Sequence, residues 1–201
     1  MRPAKIISTV LHPIFLPTYM MLVMVASGVT RFTPGNDLFF IATTLFVTCL
    51  FPGLIVVMMR RWRIIDSLEM DNRDDRLGPI FLTTLSLYGA IRLFRNIQLM
   101  ALFNVYLSSA LVISVLAFIV TFFWKISLHM LGWGGFVSCL FFMAKISAST
   151  FLPYFLAGMI LSGIVASARM KEKSHDDTQL IAGFIAGSAV VIVLYYLVLN
   201  Q

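Results

Sequence analysis

Residues 150–199 read TFLPYFLAGMILSGIVASARMKEKSHDDTQLIAGFIAGSAVVIVLYYLVL, two apolar runs separated by the polar stretch SARMKEKSHDDTQ at 167–179. A helix of about 20 residues, rising about 1.5 Å per residue, crosses a hydrocarbon core of roughly 30 Å. Each run has that length. The stretch between them is therefore the wet turn of a membrane hairpin, and its Arg, His and carboxylates raise the question of chemistry.

Working outward, runs of the same kind cover 9–29, 37–59, 79–98, 103–124 and 130–146, which with 150–168 and 177–199 makes seven segments. The composition agrees: 60% of the 201 residues are hydrophobic and only 12% charged, with a mean hydropathy of +0.94. Soluble globular chains mix the two classes far more evenly. The expected fold is all-α, a polytopic transmembrane bundle of six to seven helices forming a single domain over 1–201. No polar block is long enough to fold separately. Arg92 and Arg95 interrupt the third segment and the fifth is short, so either could tilt or lie partly in the interface. The connection at 145–150 is short enough for a hairpin, and Pro153 fits a first helical turn, where an N–H needs no partner.

The opening MRPAKIISTVLHPIFLPTY has a basic start, but Pro13 and Pro17 break its apolar run and no clean small-residue cleavage site follows, so it reads as a retained first helix. Cys49 and Cys139 lie inside apolar segments and imply neither a disulfide framework nor a thiolate metal site. The net charge of +6 suits anionic lipid headgroups rather than nucleic acid.

With seven crossings, the N-terminus, the 60–78 loop, the 125–129 turn and the 169–176 loop share one side. Of the 15 Lys and Arg residues only Arg31, Arg92, Arg95 and Lys145 fall opposite, and of the 9 acidic residues only Asp37 does. The basic bias places the shared side in the cytoplasm. The expected location is a bacterial inner membrane.

Three polar patches lie on that side. In DSLEMDNRDDRLGP, residues 66–79, Arg76 stands before Gly78 and Pro79 at a helix entrance, where a guanidinium fork matches phosphate oxygens bidentately. Arg73 is a second candidate. The plainer reading is a solvated loop in which Asp71, Asp74 and Asp75 pair with the arginines. In WKISLHMLGWGG, residues 124–135, Lys125, Ser127 and His129 offer a cation, a hydroxyl and a general acid at a helix start, while Gly132, Gly134 and Gly135 serve equally well for close helix packing. In the third patch Arg169 and His175 lie too far round an ideal helix to share a face, so the residues between them are expected to turn and bring the two together. His175 and Gln179 are spaced to share a face of the last helix, allowing Gln179 to hold one imidazole nitrogen while the other faces the site.

Such a set suits phosphoryl transfer from an ester: one neutral imidazole attacks phosphorus, a second protonates the departing alcohol, and clustered cations stabilise the equatorial oxygens. These residues resemble the type 2 phosphatidic acid phosphatase superfamily. Its signatures are a Lys six residues before Arg-Pro, then Pro-Ser-Gly-His, then Ser-Arg, five residues, His, three residues and Asp. Ala168 and Arg169 stand at Ser-Arg, His175 at the His and Gln179 at the Asp. Ser127 and His129 keep their places in the second signature, with Ile126 and Leu128 replacing Pro and Gly. Arg76 fits the Arg of the first, whereas Pro79 comes two residues late and Glu69 occupies the Lys position.

The resemblance, spanning 69–179, implies a phosphatidic acid phosphatase-like core. It implies metal-independent hydrolysis of a membrane lipid phosphate or polyprenyl pyrophosphate, with no cofactor. Arg76, Arg169 and Ser127 would bind phosphate, with Lys125 a substitute cation. His129 would protonate the leaving oxygen and His175 would be phosphorylated. Neutral Gln179 can orient His175 but cannot offset its positive charge, a duty open to Asp176 or Asp177. The alternative is a noncatalytic phospholipid-binding or transport protein on the same scaffold. A smaller alternative is Mg²⁺ held by Asp71, Asp74 and Asp75 with Asp176, Asp177 and His175. His12, on the same side, is a secondary candidate for the site whose plainer role is that of an interfacial histidine; Trp62, Trp124 and Trp133 are expected as interface anchors with Tyr195 and Tyr196 near the other surface, and Gly183 with Gly187 as a helix-packing pair.

Overall fold

The computed structural model describes residues 3–30, 36–67, 74–97 and 100–199. Among these, seven helical spans are long and apolar enough to cross a membrane: Pro3–Ala26, Asn36–Arg61, Asp74–Phe94, Ala101–Thr121, Leu128–Ile146, Ala148–Lys171 and Asp177–Leu197. The chain is an all-helical, polytopic integral membrane protein.

The first span starts earlier than expected and is composite. It contains α1 (Pro3–Val10), a short 3-10 turn (Pro13–Phe15) and α2 (Leu16–Ala26). The break has a local cause. Pro13 lacks the N–H that would bond the Thr9 carbonyl, and a proline disfavours helical geometry in the residue before it. His12 accordingly adopts an extended backbone, φ −66° and ψ 139°, and its side chain accepts from the Ile14 N–H.

The second span joins α3 (Asn36–Leu45) to α4 (Phe51–Arg61) through one π-helical turn at Phe46–Leu50. Pro52 cannot donate to the Thr48 carbonyl, and a widened turn absorbs the missing bond. The third and fourth spans are α5 (Asp74–Phe94) and α6 (Ala101–Thr121), followed by α7 (Leu128–Ile146), α8 (Ala148–Lys171) and α9 (Asp177–Leu199). Ser147 alone links α7 to α8, so α8 begins earlier than the apolar run and Pro153 falls in its second turn rather than its first.

By contacts the chain divides into two compact units: Met1–Leu16 with Ile126–Gln201, and Pro17–Lys125. In the second unit α5 packs on α6, and α3, the π turn and α4 pack in sequence against each other and α5. Thr84 Oγ1 and Ser114 Oγ hydrogen-bond at 2.6 Å between α5 and α6, satisfying two hydroxyls that lipid could not.

The first unit is built around α7, which packs against both α8 and α9, while α1 rests on α8. Glycine makes the closest approach. A Cβ at Gly134 would meet the Phe184 carbonyl oxygen, and one at Gly187 would meet that of Leu131. A Cβ at Gly183 would lie 2.9 Å from the Ser127 carbonyl oxygen. Gly183 and Gly187 are therefore the packing pair expected, and Gly134 answers them from α7. Gly132 admits the 3-10 turn, since a Cβ there would come 2.9 Å from Pro13 Cβ.

Trp133 is a correction to the sequence reading. It is 1% exposed, and its indole N–H donates to the Leu11 carbonyl at 3.0 Å, so it is a core residue that satisfies the broken end of α1. Trp62 is 63% exposed, in keeping with an outward position. Tyr195 stacks on Phe142 with centroids 3.7 Å apart, also within the first unit. Cys49 and Cys139 are free and buried.

Candidate functional site

All 3 histidines of the chain belong to the first unit, at the end where α1 runs out, α7 and α9 begin and α8 finishes. His129 occupies the second position of α7, just after Ser127. That serine is fully buried at 0% exposed and is the N-cap of α7, its Oγ accepting from the Met130 N–H at 3.5 Å. Its own N–H donates to the Gln179 carbonyl at 3.4 Å, which ties the start of α7 to the first turn of α9.

His129 is buried and its Nε2 lies 3.1 Å from the Ser8 carbonyl oxygen. A carbonyl only accepts, so Nε2 carries the proton and in the neutral ring Nδ1 holds the lone pair. His12 meets His129 edge to face with centroids 4.8 Å apart. His12 is exposed, caps the 3-10 turn and packs against the central ring.

The turn between α8 and α9 positions the remaining groups. Arg169 is in the last turn of α8, and its Nη1 donates to Glu172 Oε2 at 2.8 Å. The same oxygen accepts from Ser8 Oγ at 2.9 Å. Lys173 then takes a left-handed backbone, φ 53°, and the Ser174 N–H returns to the Arg169 carbonyl at 3.3 Å. Asp176 starts α9 as a cap, its Oδ1 accepting from the Gln179 N–H at 2.7 Å. His175 therefore precedes the helix rather than sharing a helical face with Gln179. The turn still delivers it, for His175 Nδ1 lies 2.7 Å from Gln179 Oε1. The amide oxygen accepts, so Nδ1 is protonated and Nε2 carries the lone pair.

Charge links these pieces. Arg169 is within electrostatic reach of both His12 and His129, and His175 is within reach of His129. The sequence-derived set Ser127, His129, Arg169, His175 and Gln179 is thus gathered in one unit, with Asp176 as a cap and Asp177 opening α9. Ser8 and Glu172 were missed. Glu172 had a local signal, three residues after Arg169, but Ser8 is 164 residues from its partner and carries no motif.

Arg76 and Lys125 belong to the second unit. Arg76 is buried in the first turn of α5 beside Asp75, whose Oδ1 accepts from the Asp66 N–H at 3.3 Å. Arg73, Glu69 and Asp71 lie outside the described residues. Among the described residues no group of three or more His, Cys, Asp or Glu side chains is arranged to hold a metal ion.

Comparison of the chain with protein-family models, with curated proteins and with solved structures yields no match. Fold and site together define a polytopic helical membrane protein whose first unit, Met1–Leu16 with Ile126–Gln201, holds all three imidazoles together with the Arg169 guanidinium.

Proposed function

We propose that the protein is a metal-independent phosphatase of the type 2 phosphatidic acid phosphatase kind, acting on a lipid phosphate or polyprenyl pyrophosphate. The observation that carries this reading is the His175 to Gln179 contact at 2.7 Å, which selects the tautomer with a lone pair on Nε2, in a cluster containing Arg169 and His129. A nucleophilic imidazole needs that tautomer held in place.

In the proposed reaction His175 Nε2 attacks phosphorus, the P–N bond forms and the bond to the ester oxygen breaks. His129 gives the departing oxygen its proton. Because Nε2–H is engaged by the Ser8 carbonyl, the free Nδ1 of neutral His129 takes up the proton that a phosphate monoester monoanion brings and passes it to the departing oxygen, and the Ser8 bond survives the transfer. Water then attacks phosphorus, the P–N bond breaks and returns the lone pair to His175 Nε2, and the proton lost by the water passes through His129 Nδ1 to the inorganic phosphate that leaves. Arg169 stabilises the equatorial oxygens.

A noncatalytic lipid-phosphate binder on the same scaffold is the second reading, and the specific observation in its favour is the Glu172 carboxylate on Arg169. The test is phosphate release by purified protein from a panel of phospholipids and polyprenyl pyrophosphates, with and without EDTA. EDTA-insensitive release that disappears in His175→Ala is expected. Release undiminished by that substitution would eliminate the nucleophile, and no release across the panel would leave the binder.

A further inference from the structure

We infer that Ser8 Oγ and Arg169 Nη1 form the seat for the phosphate group, and that Glu172 is its built-in occupant, displaced when a phosphate monoester binds. The inference rests on the phosphatase reading for its ligand class and adds Ser8 and Glu172, which no motif assigns.

An ordinary pair three residues apart on a helix surface is a weak, solvated contact. Here one carboxylate oxygen, Glu172 Oε2, takes two donors at once, Arg169 Nη1 at 2.8 Å and Ser8 Oγ at 2.9 Å. Ser8 is 6% exposed, and the Arg169 and Glu172 side chains are 16% and 19% exposed. Two donors from distant segments thus converge on one sheltered point, the geometry that holds an anionic oxygen. Ser8 also offers its carbonyl to His129 Nε2 at 3.1 Å, so an anion on the Ser8 hydroxyl sits against the residue that holds the His129 ring.

The occupant is poorly placed to stay. Glu172 is the C-cap of α8, where the helix dipole opposes a negative charge. It brings a single charge, whereas a phosphate monoester brings up to two and three oxygens. Leaving costs little elsewhere, because the cap of α9 is made by Asp176 and the His175 tautomer by Gln179. An internal competitor lowers apparent affinity by the fraction of sites it fills.

The test is calorimetric titration of the purified full chain with inorganic phosphate. In Glu172→Gln, which keeps the shape but removes the charge, the dissociation constant should fall about tenfold, the scale of one charge-assisted hydrogen bond. Adding Ser8→Ala in that background should weaken binding several-fold. A parallel arm uses nanodiscs of phosphatidylcholine with and without phosphatidic acid, in a His175→Ala background that prevents turnover. Tightening toward either source upholds the seat, and the arm in which it occurs identifies the source. Unchanged or weaker binding of both probes in folded Glu172→Gln would overturn it, as would binding by no variant. If that variant does not fold, Glu172→Asp, whose shorter reach weakens the internal pair, gives the same readout. Tightening without phosphate release from any lipid sinks the phosphatase reading alone. Release by the wild-type chain with unchanged affinity in Glu172→Gln sinks the seat alone.

Discussion

The His12 and His129 rings meet edge to face, at an interplanar angle of 84°, while His12 Nδ1 accepts from the Ile14 N–H at 3.2 Å. One side chain therefore closes the break after α1 and supports the ring proposed to deliver a proton.

The two duties separate by substitution. His12→Asn keeps a side-chain acceptor for Ile14 but removes the ring, and it is expected to unfold near the wild-type temperature while phosphate release falls about tenfold, as a misplaced catalytic group commonly costs. His12→Phe keeps a ring beside His129 but loses the cap, and stability should drop by about 1 kcal/mol with release better preserved. Thermal unfolding and phosphate release on both variants check this. The opposite pattern would mean that the cap, and not the ring, governs His129.

Gln179 is expected to act as a positioning residue for His175. Gln179→Leu removes the acceptor at 2.7 Å, frees the tautomer and should lower turnover by about tenfold or more with little change in KM, since the loss falls on the chemical step. Gln179→Glu restores an acceptor of the same length and adds the charge that neutral Gln179 lacks. It should recover or exceed the wild-type rate. Kinetics of the pair, with the ring nitrogen shifts of His175 as a tautomer readout, decide the point. Loss of activity in both variants with unaltered shifts would leave only a packing role.

The spans were legible because membrane crossing is a matter of length and apolarity, which a single chain displays without knowledge of its neighbours. The start at Pro3 was not, since Lys5 and Ser8 make the first six residues of α1 too polar for an apolar run to include them. Arg169 with His175 and Ser127 with His129 were found by spacing, a local property. The Ser8 contacts to Glu172 and His129 join the N-terminal helix to the C-terminal half, and no periodicity encodes a pairing at that separation. Trp133 was misplaced for the same reason, its partner being a backbone carbonyl exposed by a distant proline.

Sidedness is open to direct labelling. Lys145 is in the last turn of α7 and Lys171 ends α8, and both side chains are exposed, whereas Cys49 and Cys139 are buried. In intact cells an impermeant maleimide is expected to react with Lys145→Cys and to spare Lys171→Cys until the membrane is opened, which the excess of Lys and Arg on the Lys171 side requires if that side is cytoplasmic. Reaction of both from outside would mean that α8 does not cross. The reverse order would place the histidine cluster outside the cytoplasm.

Glycine substitutions separate close packing from backbone freedom within the first unit. Gly187 and Gly163 both sit in helix interiors, where alanine is intrinsically preferred by about 0.5–1 kcal/mol. At Gly163 an added Cβ meets nothing within 4 Å, so Gly163→Ala should raise stability by that amount. At Gly187 the Cβ would collide with the Leu131 carbonyl oxygen and lie 3.0 Å from the Gly135 nitrogen. Backbone cannot rotate away as a side chain can, so α9 must move off α7, at a cost of about 1–3 kcal/mol. The movement would also stretch the Ser127 to Gln179 backbone bond, already 3.4 Å, and shift His175 relative to His129. Gly187→Ala is therefore expected to lose phosphate release along with stability, while Gly163→Ala keeps both. Unfolding in graded detergent, run beside the release assay, provides the measurement. Equal behaviour of the two variants would contradict the tight α7 to α9 crossing on which the site depends.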